Sequence, residues 1–247
     1  MNKKFSWKIV IAIILMLVSV SIYTINYLVF RDARNIFFYF FIDLAFLPLN
    51  VLLVTLLLDS LLTQREKKSK LNKLNMVIGA FFSEVGTYLL SYLNDLDKNS
   101  DVINKQLGML ANWKKKDFAA FKNNILKYNS KLALSYENEI EIKKFLLEKR
   151  DFMLRLLENP NLLEHEDFTE LLWAVFHVTE ELSSRANFEN QSENDLEHVR
   201  NDFKRAYILL IKEWLSYIEH LKSAYPYLYS LAIRQNPFNN KASVFIS

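Results

Sequence analysis

IVIAIILMLVSVSIYTINYLVF, residues 9–30, holds 22 residues without a charge, and IFFYFFIDLAFLPLNVLLVTLLL, residues 36–58, holds 23 with the single charge Asp43. An α-helix rises about 1.5 Å per residue, so ~20 residues cross the ~30 Å hydrocarbon core of a bilayer. Each stretch is long enough to span. The five residues between them predict a tight antiparallel helical hairpin. A cleaved signal sequence is the alternative for the first stretch, because Lys3, Lys4 and Lys8 precede it and Ser19-Val20-Ser21 resembles a cleavage site. The apolar run continues past Ser21 as far as Arg31, which fits a span better.

Working outward, breakers are scarce. The 247 residues include three glycines (Gly79, Gly86, Gly108) and four prolines (Pro48, Pro160, Pro226, Pro237). Sheets need turns, and turns draw on these residues. The fold class is therefore all-α: an N-terminal transmembrane helical hairpin plus a cytosolic helical bundle. Cysteine is absent, which excludes disulfides, thiol catalysis and cysteine-held metals.

Charge is unevenly placed. Of the net +3, residues 1–64 carry +2, residues 65–74 carry +4, and the remainder carries −3. No broad basic footprint for nucleic acid exists. Basic residues flank the spans at Lys3, Lys4 and Lys8 and again at Arg65, Lys67, Lys68, Lys70 and Lys73. The positive-inside rule then places both termini in the cytosol, as a multi-pass protein of the inner (plasma) membrane. The second basic group also suits anionic lipid headgroups.

Residues 76–93 offer a third span, which would carry the rest of the chain outside. Glu84 near the middle costs roughly 2.5–3.5 kcal/mol in lipid. Val77, Phe81, Val85, Tyr88, Leu89 and Tyr92 fall at helical spacing, so a core or interfacial helix is expected instead. The resulting organisation is a transmembrane hairpin at 1–64, a basic juxtamembrane helix at 65–75, a helical bundle at 76–235 and a flexible tail at 236–247. Between Leu49 and Ile78 no glycine or proline interrupts the chain, so the second span is expected to run on as one helix.

Within the bundle, Asn99-Ser100-Asp101 predicts a cap and a helix to about Trp113, with Lys114-Lys115-Lys116 as its cationic C-terminal end. Further helices are expected at 117–128, 137–158 and 167–184, the last with Phe168, Leu171, Leu172, Val175, Thr179 and Leu182 inward. After a polar loop at 187–194, Leu196, Val199, Phe203, Tyr207, Leu210, Trp214, Tyr217 and Leu221 recur at spacings of three and four. That seam suits a bundle or a coiled-coil-like partner. A short helix at 225–233 follows Pro226.

No phosphate loop, nucleophile elbow or His-Glu-x-x-His pair occurs. Glu170, His177 and Glu181 share one helix side, and Asp195, His198 and Asp202 share another. An antiparallel pairing of those helices would assemble a carboxylate–histidine metal site; the alternative is two solvated faces with i,i+4 pairs. No other cofactor is expected. In the second span, Asp43 lies ~10 Å from the loop, level with Tyr23, Thr24 and Asn26, and Asn50 shares its face. An acid in lipid marks an ion path, an inter-helix hydrogen bond or placement near the outer interface.

KLNMVIGAFFSEVG (73–86), LLWAVFHVTEEL (171–182), HLKSAYPYLYSLAIRQNPF (220–238) and FIDLAFLPLNVLLVTLLLD (41–59) resemble an uncharacterised family of prokaryotic two-span membrane proteins. The resemblance implies topology and a prokaryotic source. It brings no activity and no functional residue. The expected function is a membrane-anchored helical interaction or sensor module, homo-oligomeric through its long helices, with the lipid bilayer and a protein as partners. An oligomeric channel or transport component lined by Asp43 and Asn50 is the second reading. A metal-dependent enzyme in the bundle is the third.

Overall fold

The computed structural model describes residues 3–160, 162, 165–186, 188, 191–239 and 242–243, without the side chains of residues 3–6, 8 and 68. The expectations for the side chains of Lys3, Lys4, Lys8 and Lys68, for Asn187, Glu189 and Asn190 of the polar loop, and for residues 240–241 and 244–247 of the tail thus lie outside the described residues. The chain divides into two compact units, residues 1–67 and 68–247.

In the first unit, α1 (Lys3–Phe30) and α2 (Ala33–Phe81) are joined by Arg31 and Asp32 alone. From Lys68 onward α2 belongs to the second unit. The connection is shorter than the five residues expected, because Arg31 turns the chain in the left-handed region at φ 48°. Its N–H donates to the Tyr27 carbonyl at 2.8 Å, an ending usually left to glycine. Asp32 then caps α2, its Oδ1 accepting from the amides of Arg34 at 3.0 Å and Asn35 at 3.2 Å. Pro48 sits within α2. No described residue of this unit is buried.

The second unit has a core. After the end of α2 come a π-helical turn (Phe82–Gly86), α3 (Thr87–Leu96), α4 (Ser100–Leu107), a 3₁₀ turn (Leu110–Asn112), α5 (Lys115–Ile125), α6 (Tyr136–Leu157), α7 (Glu166–Ser184), α8 (Glu193–Ala224) and α9 (Pro226–Arg234). Among the described residues there is no strand; one isolated antiparallel bridge joins Asp97 to Leu132. Side chains start the long helices: Ser135 Oγ accepts from the Asn138 amide, His165 Nδ1 from that of Phe168 at 3.1 Å, and Ser192 Oγ from that of Asp195 at 3.2 Å. Asp97 organises the α3–α4 corner, its carboxylate accepting from Tyr128 Oη at 2.6 Å and the Lys131 amide at 2.8 Å.

Helix α8 is central, packing against α3, α5, α7 and α9. Val199, Phe203, Tyr207, Leu210, Trp214 and Leu221 of its seam are buried, and Leu196 and Tyr217 are half-buried. The chain's own helices fill the seam, so it is not left free for a second copy. All six expected inward residues of α7 are buried. Residues 76–93 form a core segment, but its buried set is Ile78, Phe81, Phe82, Val85, Leu89, Leu90 and Leu93, while Tyr88 is exposed. The π turn, with its i→i+5 bonding, shifts the buried stripe relative to a regular 3.6 period. Gly86 allows it: a Cβ there would fall 2.4 Å from the Phe82 ring.

Two local expectations are corrected. The helix after Asn99 ends at Leu107, with Gly108 at its C-cap. The tail is not loose at its start: Asn236 Nδ2 donates to the Leu107 carbonyl at 2.8 Å, and Asn236 and Phe238 are buried. The Phe238 ring meets Trp214 edge-to-face, centroids 5.2 Å apart. Replacing either aromatic by alanine is expected to cost roughly 3–5 kcal/mol. The double variant should lose less than the sum, because the rings share one contact. Strict additivity in denaturant titrations would show that the two rings do not stabilise each other.

Glu213 on α8 is only 2% exposed, and its Oε2 has no hydrogen-bond partner among the described residues. Burial, assisted by Asp167 of α7 and opposed by Lys212 of α8 and Lys122 of α5, pushes its carboxyl up to about 7. The unfolded chain releases this proton near 4.5. The stability linked to the neutral carboxyl is therefore complete below pH 4.5 and is lost as pH rises to about 7. The loss amounts to roughly 3 kcal/mol. Glu213→Gln should flatten most of that slope in urea titrations at pH 5 and pH 8; an unchanged slope would refute the assignment.

Candidate functional site

The metal reading required α7 and α8 to run antiparallel side by side, and they do. Asp167 accepts from Lys212 at 2.8 Å, His177 meets Asp202, and Arg185 just past α7 meets Asp195 at the start of α8. His177 Nε2 lies 3.2 Å and His198 Nε2 3.5 Å from the same oxygen, Asp202 Oδ2. Arg205 donates to Oδ1 at 3.3 Å. The other half is organised differently. Arg185 donates to Glu181 at 2.7 Å and to Asp195 Oδ1 at 2.8 Å, holding the Asp195 carboxyl below its usual range. Glu170 makes no ion pair with either group among the described residues and lines a cavity of about 270 Å³ together with His177 and Arg205. Between Glu181 and Asp195, a guanidinium thus stands where the metal reading would put an ion. Among the described residues, no group of three or more His, Asp or Glu has a metal-holding arrangement.

In the first unit, Asp43 and Asn50 are exposed on α2. No hydrogen bond joins Asp43 to Tyr23, Thr24 or Asn26 among the described residues; Thr24 Oγ1 turns back to the Val20 carbonyl at 2.8 Å. Arg65, Lys67, Lys70 and Lys73 are exposed along α2.

The site that sequence reasoning missed lies between α5 and α8. Trp113, Lys114 and Lys115 lead into α5, and with Phe118 and Lys122 they face Ser216, Glu219, His220, Lys222 and Ser223 across a cavity of about 650 Å³. Such a volume is in the range of small-molecule sites. Lys122 pairs with Glu219 at 2.8 Å. Lys222 reaches across the cavity mouth to the carbonyls of Trp113 at 2.7 Å and Ala111 at 3.2 Å, which anchors the chain entering α5. Trp113 is braced edge-to-face by Phe118 at 5.2 Å. Burial lowers the His220 pKa, and its Nε2 is buried without a partner among the described residues.

The three-lysine run also changes meaning. Lys115 is the first residue of α5, so the cations stand at a helix N-terminus, where positive charge is unfavourable, and not at a C-terminus as expected. Asp117 offsets part of this, accepting from the Lys114 amide at 2.7 Å. The run itself was the visible signal; its position was not visible, because the preceding helix stops early and a short 3₁₀ turn intervenes.

Comparison with known proteins follows the two-unit division. Residues 2–62 match a family described as MJ1433, N-terminal helical domain, and residues 70–234 match one described as Uncharacterized protein MJ1433, C-terminal helical domain. A relative named Uncharacterized protein MJ1433, from Methanocaldococcus jannaschii, is 43% identical over 244 residues, covering 99% of this chain and 98% of that protein. The chain belongs to the MJ1433 family. No solved structure matches it. The seven residues between the two MJ1433 matches include Arg65, Lys67 and Lys68, so the basic segment begins where one domain gives way to the next. The MJ1433 relative carries no described activity, and the site must be argued on its own chemistry.

With Arg185 in place, added zinc, manganese or iron is expected to leave the melting temperature unchanged. Stoichiometric metal in the purified protein that is lost in both His177→Ala and His198→Ala would restore the metal reading.

Proposed function

We propose that the chain is a membrane-anchored helical module, with α1 and the first part of α2 crossing the bilayer and the 68–247 domain acting in the cytosol as an interaction or sensor module. One observation carries the reading. Residues 9–30, and α2 from its start, are long and apolar enough to cross a membrane, and none of the most apolar window of either helix is buried by protein. Helix α1 and the first part of α2 satisfy their own backbone, which suits a solvent without hydrogen bonds. Two hydroxyls of α1 do likewise, Ser21 and Thr24 each donating to a carbonyl four residues back at 2.8 Å. The second unit, by contrast, holds a buried hydrophobic core of its own.

The positive flanks supply the orientation, and the basic stretch from Arg65 to Lys73 suits an anionic inner leaflet. Self-association is not supported by α8, whose seam is filled. If it occurs, it is through the exposed helices of the first unit. The channel reading has less behind it, since Asp43 and Asn50 meet no polar partner on α1 among the described residues.

The test is topological. Reporter fusions at Ser247 and at Arg31–Asp32 should report cytosolic and external locations respectively, and alkaline carbonate should leave the protein in the membrane pellet. Release into the supernatant, or an external C-terminus, would overturn the proposal.

A further inference from the structure

The cavity between α5 and α8 brings four ammonium groups, from Lys114, Lys115, Lys122 and Lys222, to face one carboxylate, that of Glu219. Their charges are not spent equally. Lys122 is neutralised by Glu219, and Lys222 is held by backbone carbonyls that leave its charge uncancelled. Lys114 and Lys115 are exposed and have no ion pair among the described residues. They stand at the first turn of an 11-residue helix, whose leading amides lack intrahelical acceptors and whose dipole repels them. Like charges gathered against a helix dipole raise the energy of the empty site. A bound anion converts each repulsion into an attraction.

The walls narrow the chemistry. Four lysines against Glu219 and the neighbouring Asp117 leave a net excess of about two positive charges, which favours a dianion over a single carboxylate. The volume far exceeds that of an inorganic anion, and the Trp113 ring offers an apolar surface beside the cations.

We propose that this cavity binds a phosphate-bearing anion carrying an aromatic or apolar group, with the phosphate held by Lys114 and Lys115 at the start of α5 and the apolar part against Trp113. The proposal rests on the sensor reading of the domain and gives it a ligand class. Both a free phosphate ester and a phospholipid headgroup have this chemistry.

The experiment separates them. Full-length protein in a zwitterionic detergent is titrated with phenyl phosphate by calorimetry, with benzoate as the carboxylate control. The same protein is reconstituted in phosphatidylcholine vesicles with and without phosphatidylglycerol, and its melting temperature is read. The double variant Lys114→Glu/Lys115→Glu reverses the charge at the site, and Lys127→Glu makes a like change on an exposed lysine outside it. The double variant should melt no lower than wild type in phosphatidylcholine, since acids are favoured at a helix N-terminus. Lost binding therefore cannot be lost folding.

Saturable binding of phenyl phosphate, weakened at least tenfold by the double variant and less than twofold by Lys127→Glu, supports the site with a free ester as ligand. Absence of soluble binding, together with a phosphatidylglycerol-dependent rise in melting temperature that the double variant abolishes, supports it with a lipid headgroup as ligand. Absence of both effects overturns the proposal. So does equal response of wild type and double variant, or benzoate binding as tightly as phenyl phosphate. Calorimetry in micelles does not depend on which side of a membrane the domain faces, so its failure would leave the topology standing, and the reverse holds too.

Discussion

Helix α8 must bury an apolar stripe running from Val199 to Leu221, and the arrangement of residues 68–247 follows from how that stripe is covered. Helices α3, α5, α7 and α9 all lie against it. Phe82 of the π turn stacks on Tyr217, and Phe238 from beyond α9 closes on Trp214. A seam so fully used holds Glu213 in place as well. The side chain belongs to α8's inner face by register alone, and the packing around it tolerates a neutral carboxyl better than a charged one. Core density is kept at the expense of one unfavourable ionisation.

The two units solve the burial problem in opposite ways. The second covers most of its apolar residues with its own helices. The first exposes nearly all of them, from Ile9 to Leu62, and spends its polar side chains on turning the chain at Arg31 and Asp32. On the membrane proposal the bilayer supplies the missing apolar contact, and a backbone already satisfied within each helix is what that solvent demands. The basic segment then lies where the change of solvent occurs.

Cations are also placed with purpose inside the second unit. Arg185 binds the carboxylates of Glu181 and Asp195, which would otherwise repel each other across the α7–α8 pair, and Arg205 does a smaller share of the same work at Asp202. There the positive charge is matched. Around α5 it is not: Lys114 and Lys115 oppose the helix dipole and face Lys222 of α8 across a cavity. The contrast between a saturated cluster and an unsaturated one within the same domain separates a structural ion-pair network from a candidate binding site.

The sequence by itself determined the helices. Scarce glycine and proline, stripes at spacings of three and four, and stops at Pro160 and Pro226 act over a few residues, so α6, α7, α8 and α9 were legible nearly to their ends. It also determined the change of character at the basic segment, where composition alone switches. Tertiary structure decided whatever depends on which helix meets which. It brought Arg185 between two carboxylates that sequence spacing offered to a metal, and it folded Asn236 and Phe238 back onto α4 and α8. A π turn moved the buried stripe of residues 76–93 off its expected positions. The α5–α8 cavity was illegible for the same reason: its lysines come from segments about a hundred residues apart, and no local period encodes their meeting. A helix face is a local property of the chain, whereas a site between helices is set by the packing that leaves the space.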